Sequence, residues 1–124
     1  MKHFATPTDF DPDMAADFVA NQTSRRIGSS LVLETQVMLV WHLRLAPGER
    51  LGFHRHERPY FWSVVTDGRA RSRYDDGRVL DRIYAAGDTA YFPDLTPDTA
   101  FVHDIENVGD GELVFVTVEF KAGE

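Results

Sequence analysis

From residue 30 onward the apolar side chains alternate, and turn residues interrupt the alternation every few positions. In residues 36–45, Val37, Leu39, Trp41, Leu43 and Leu45 share one face, while Met38, Val40, His42 and Arg44 share the other. Successive side chains of an extended backbone point to opposite faces, so a period of two describes a strand rather than a helix. The runs 30–35, 60–66, 69–74, 78–85, 89–92, 101–108 and 113–121 read as strands too, and the segment around His54 lies among them. Pro47-Gly48, Gly87-Asp88, the Pro-containing loop 93–99 and Gly109-Asp110-Gly111 supply breaks. Asp67-Gly68 and Asp76-Gly77 predict hairpins, because a type I′ turn needs positive φ, which Gly adopts without steric cost. About eight or nine short strands in one chain imply an antiparallel sandwich or barrel.

Before the strands, Asp9 or Asp11 can cap a helix that has Pro12 in its first turn and Met14, Phe18 and Val19 as an apolar stripe. One short helix over 12–21 is expected, followed by a polar connector that ends at Gly28. Residues 1–30 thus form an arm with a short helix, and 31–122 a single β domain.

With 124 residues the chain can bury a real core, and a hydrophobic share of 43% argues against disorder. The formal net charge of −7 makes a nucleic-acid partner unlikely, because phosphate backbones are held by Lys and Arg. No apolar run reaches membrane-spanning length, and no secretory leader is visible. Cysteine is absent, which removes disulfides and thiolate ligands and fits a reducing, cytoplasmic location. Arg69, Arg71 and Arg73 share one side of a strand and read as a solvated face paired with acids rather than an anion site.

His54 and His56 carry the chemistry. At i and i+2 on a strand they point the same way, and imidazole is the commonest metal-binding side chain. A third ligand could come from His3, His42 or His103. The aromatic residues Phe53, Tyr60, Phe61, Trp62, Tyr91, Phe92, Phe101 and Phe115 flank these positions, and Tyr60 or Tyr91 could donate a proton. Arg55 and Arg58 alternate with the histidines and are expected outside.

Two stretches resemble the paired motifs of the cupin superfamily. Gly48, five residues, His54-Arg55-His56, four residues, Phe61, six residues and Gly68 look like the first motif; Gly87, five residues and Pro93, then His103, three residues and Asn107, look like the second. The resemblance covers roughly residues 32–120 and is to small single-domain RmlC-like cupins. It implies an all-β, double-stranded β-helix (jelly-roll) barrel, here with a short N-terminal helix, and a metal bound inside. Carried over by position, it assigns His54, His56 and His103 as metal ligands and puts Phe61 where the family has a glutamate. Phe61 is then expected as an apolar wall of the site, with Tyr60, Trp62, Tyr91 and Phe101 also lining the pocket. Glu57, Asp94, Asp98 or Asp104 could replace the missing carboxylate.

A three-His site suits a divalent transition metal: Fe, Zn, Ni or Mn, with Cu also compatible with imidazole. Without an anionic ligand the ion favours a small acidic ligand. The expected function is a metal-dependent enzyme of dioxygenase, lyase or isomerase type acting on a small acid, with no catalytic side chain assigned. The alternative is a non-enzymatic binding or sensing module. The resemblance also implies a possible homodimer.

Overall fold

The computed structural model describes residues 2–121. The chain runs α1 (Pro12–Asn21), β1 (Ser30–Glu34), β2 (Met38–Leu45), β3 (Arg50–His56), β4 (Tyr60–Val64), β5 (Gly68–Arg73), β6 (Val79–Tyr84), β7 (Thr89–Phe92), β8 (Phe101–Asn107) and β9 (Leu113–Phe120). The expected barrel boundary at residue 122 lies outside the described residues.

Two antiparallel sheets face each other, one ordered β1-β2-β9-β4-β7 and the other β3-β8-β5-β6. Between them Leu43, Leu45, Val64, Ala70, Ile105, Leu113 and Phe115 form the buried core, with Trp62 and Tyr84 packed against it. The alternation of residues 36–45 thus has a physical outcome: Leu43 and Leu45 enter this core from β2.

The helix is capped as its composition implies. Asp11 accepts a hydrogen bond from Met14 N at 2.9 Å, and Pro12 occupies the first turn. Phe18 carries its apolar face into a second cluster with Phe53 and Val102, flanked by Phe4, Phe10 and Met14. That cluster lies on the outer face of β3, so the arm and helix cover the back of the strand that bears the histidines.

The two Asp-Gly pairs do not behave alike. Asp76-Gly77 lies in the β5–β6 hairpin, but only Gly77 has positive φ, at 87°. Gly77 N donates to Tyr74 O at 2.9 Å and Tyr74 N to Arg78 O at 2.9 Å, a longer turn than the expected two-residue type I′ form. Asp67-Gly68 makes no hairpin, because β4 and β5 belong to different sheets. A Cβ on Gly68 would come within 2.8 Å of Leu113 Cδ1, so Gly here permits close packing where the chain crosses between sheets.

Candidate metal centre

The alternation along β3 decides what enters the barrel. Phe53 and Arg55 point outward under the helix and arm, and His54 and His56 point inward. Antiparallel pairing of β3 with β8 sets His54 opposite His103. The register shifts between Leu51 and His54, and in that irregularity the carbonyl of Gly52 lies 2.8 Å from His54 Nδ1. An N–H at Nδ1 donating to this carbonyl leaves the Nε2 lone pair for a ligand. Gly52 also leaves room behind the strand: a Cβ there would sit 3.1 Å from the Asp17 carboxylate, which accepts from Phe53 N and from Arg50.

The three histidines converge. Their ligand atoms all lie within 4.8 Å of one another, and His56 Nε2 and His103 Nε2 are 3.1 Å apart. Nitrogens sharing one ion at about 2.0–2.1 Å in tetrahedral geometry stand roughly 3.3 Å apart, so this pair is at a ligand spacing. Burial lowers the pKa of His54 to about 4, and lowers those of His56 and His103 well below normal, with neighbouring imidazoles adding to the effect. All three are therefore neutral at pH 7, the form that binds metal. The donor set, its convergence and its neutrality fit a divalent transition ion. His3 and His42, the other candidates, are not part of the cluster.

The histidines line a cavity of about 360 Å³ between the sheets. Tyr60, Trp62 and Phe101 line it. His56 packs against both Tyr60 and Phe101, with ring centroids 4.2 and 5.0 Å away. Phe61 does not line the cavity; it lies 6.1 Å from Phe120. Tyr91 does not either and is 61% exposed. The reason is phase: β4 and β7 pair Phe61 with Tyr91 and Tyr60 with Phe92, so both predictions name the face turned away from the cavity. Phe92 is the inward partner and stacks on Tyr60 at 4.7 Å.

No carboxylate lines the cavity among the described residues. Asp104 points to the outer face, where it accepts from Arg50 Nε at 2.6 Å and Arg73 Nη1 at 2.9 Å. Glu57 is engaged with Arg25 and Arg55, and Asp94 and Asp98 are exposed in the 93–99 loop. Arg55 does turn away from the cavity, but it is 0% exposed rather than solvated. Arg71 pairs with Asp81 and Arg73 with Asp104 and Glu106, which supports the paired-face reading of that stripe.

The cavity also takes Tyr74, Tyr84, Arg78 and Arg82, which the motif reading did not single out. Burial raises the pKa of Tyr60, Tyr74 and Tyr84, keeping these phenols protonated. A sequence signal existed: Leu80, Arg82 and Tyr84 share one face of β6 by alternation.

A nine-stranded jelly roll with three inward histidines on two paired strands of one sheet is the architecture of a cupin. Residues 41–119 match the model of the cupin domain, and the chain belongs to that family. It is 30% identical over 105 residues to the oxalate decarboxylase OxdC of Bacillus subtilis (strain 168), spanning 83% of this chain but only 23% of that protein. A cupin domain from Bordetella pertussis Tohama I superposes with a TM-score of 0.64 at 26% identity, covering 75% of this chain and 91% of that one. An RmlC-like cupin with a double-stranded β-helix fold from Methanocaldococcus jannaschii gives 0.59 at 17% identity, covering 97% and 90%. Among the described residues no helix is long and apolar enough to cross a membrane.

Proposed function

We propose that this chain is a divalent-metal-dependent enzyme of lyase type acting on a small carboxylic acid inside the barrel. The observation that carries the reading is the convergence of three neutral imidazoles, two buried and one half-buried, on one point of a largely aromatic and aliphatic cavity. Bound by His54, His56 and His103, a Zn, Fe, Ni or Mn ion would supply Lewis acidity toward a substrate oxygen. The chain's own part is distinct. Aromatic walls exclude water and strengthen electrostatics at the site. Tyr60 and Tyr74 hold protonated phenols beside the histidines, suited to donating a proton to a departing or newly formed carbanion centre. The relation to a decarboxylase supports carboxylate chemistry, although the chain spans less than a quarter of that protein.

A binding or sensing module is the second reading. It is favoured by the absence of a carboxylate from the cavity lining among the described residues, which leaves no strong general base at neutral pH.

The test is elemental analysis of the purified chain beside His54→Ala, His56→Ala and His103→Ala, with substrate turnover followed by NMR. Metal near one equivalent, lost in the variants, is expected. Metal that survives all three substitutions would sink the assignment, and metal binding without turnover of any small acid would favour the module.

A further inference from the structure

Arg82 stands out among the cations of the cavity. Its guanidinium lies 4.9 Å from the Trp62 ring and 5.2 Å from the Tyr84 ring, and it makes no ion pair or hydrogen bond among the described residues. Arg78, the other arginine of the lining, is neutralised by Asp76 Oδ2 at 2.6 Å from its Nε. Neither ring contact gives Arg82 an acceptor for its five N–H donors, and the residue is exposed, so a hydrated cation that can exchange water for a ligand stands at the rim of the cavity.

Its distance from the histidines follows from strand register. In one sheet Arg82 pairs with Ala70 and Ala70 with Asn107, whereas His103 bridges Tyr74. From His103 to Asn107 the strand advances four residues, roughly 13 Å. On the facing sheet Tyr60, stacked on His56, and Trp62, beneath Arg82, are two residues apart, roughly 7 Å. The histidines and Arg82 therefore mark two ends of one cavity, on the order of 10 Å apart. Between them the walls are Leu43, Trp62, Tyr84, Ile105 and Phe115.

We propose that Arg82 is a specificity-determining residue that holds the carboxylate of an elongated, flat, largely apolar acid, whose opposite end carries an oxygen donor for the three-histidine site. The proposal rests on the metal-site reading above and narrows it: a two-carbon diacid would reach one end only, whereas an aryl acid spans both. Bidentate Arg–carboxylate pairing at this solvent-exposed rim supplies affinity that a neutral analogue forfeits.

Three probes separate the ends. 3,4-Dihydroxyphenylacetate has both, 3,4-dihydroxyphenylethanol lacks the carboxylate, and phenylacetate lacks the ring oxygens. Binding is measured by calorimetry on native protein, Arg82→Gln, Arg82→Lys and Arg78→Gln, each with and without zinc, with zinc content and thermal stability checked for every variant. Native protein is expected to prefer the acid over the alcohol by about tenfold. Arg82→Gln should erase that preference, Arg82→Lys should keep part of it, and Arg78→Gln should keep it in full. Equal preference in native protein and Arg82→Gln overturns the proposal, as does equal loss in Arg78→Gln, or no binding of any probe at millimolar concentration. If neither native protein nor any variant takes up zinc, the metal reading fails on its own; an Arg82-dependent preference for 3,4-dihydroxyphenylacetate over 3,4-dihydroxyphenylethanol in zinc-free protein then still supports the carboxylate contact.

Discussion

Tyr60 lies flat against His56, with ring centroids 4.2 Å apart and planes inclined by 22°. This is the face of β4 that looks at the histidines, and a phenol rather than a carboxylate occupies it. Tyr60 is 3% exposed, so its hydroxyl stays neutral and cannot act as an anionic ligand at ordinary pH. Tyr60→Glu places a carboxylate beside the three imidazoles. Without metal, that buried charge should destabilise the fold or stay protonated. With metal, it adds an anionic ligand, and affinity should rise roughly tenfold or more. Thermal unfolding with and without Zn²⁺ checks this: the variant should melt lower than native when metal-free and gain more on zinc addition.

The histidines also make stability depend on pH, with a definite sign. An unfolded imidazole takes up a proton near 6.5, whereas folded His54 does so only near 4, and His56 and His103 are held down as well. Below 6.5 the unfolded state therefore binds more protons than the folded state, and metal-free stability falls as the pH falls toward about 4. Above 6.5 these groups are neutral in both states and contribute no slope. Unfolding free energies from denaturant titrations in chelator at about pH 7.5 and about pH 5 should differ by a few kcal/mol, and His54→Gln should flatten part of the difference.

The strands and the His54/His56 pair were legible because both depend on local spacing, whereas His103 was singled out only by the resemblance to the second cupin motif. A period of two identifies a strand, and His-x-His shares a face in any strand. What spacing could not set was phase after an irregular connection. Between His56 and β4 the chain passes through 57–59, and Tyr60 and Phe61 are equally plausible inward residues until β7 and β9 pair with them. The same one-residue ambiguity exchanged Tyr91 for Phe92. Long-range coverage was also hidden. Arg55 alternates outward as read, but whether outward means solvent depends on Phe4 and the arm folding back over β3. Arg82 acquires its meaning only from Trp62, twenty positions earlier and on the facing sheet.

Gly68 offers a test of the sheet crossing. Its φ is not positive, so an alanine there is not strained by backbone conformation. The added Cβ would instead meet Leu113 Cδ1 at 2.8 Å, and Leu113 is fully buried. Gly68→Ala should cost about 1–3 kcal/mol from overpacking. Gly87, at φ 94° with open space around its Cα, should fail differently: Gly87→Ala strains the backbone and costs roughly 1 kcal/mol without disturbing the core. Chemical denaturation measures the two losses. Leu113→Ala in the Gly68→Ala background should recover nothing for a backbone effect, but should show non-additivity if the Leu113 contact is the cause.

Arg55 and Glu57 carry the charge balance behind the histidine strand. Both are buried; Glu57 Oε2 lies 3.7 Å from Arg55 Nε, and Glu57 Oε1 accepts from Arg25 Nε at 2.6 Å. Arg55 Nε, Nη1 and Nη2 have no hydrogen-bond partner, so electrostatic attraction to Glu57 and the Phe4 ring, 5.5 Å away, compensates its charge. Removing the acid and removing the whole pair should therefore have opposite consequences. Glu57→Gln leaves a buried, unpaired guanidinium and should destabilise by about 3–5 kcal/mol. Combining it with Arg55→Met takes away the charge while keeping much of the volume, and should recover most of that loss. A double-mutant cycle by urea denaturation reads the coupling directly. If Glu57→Gln and the double variant lose the same stability, Arg55 is not held by Glu57, and the arm rather than the ion pair stabilises the back of β3.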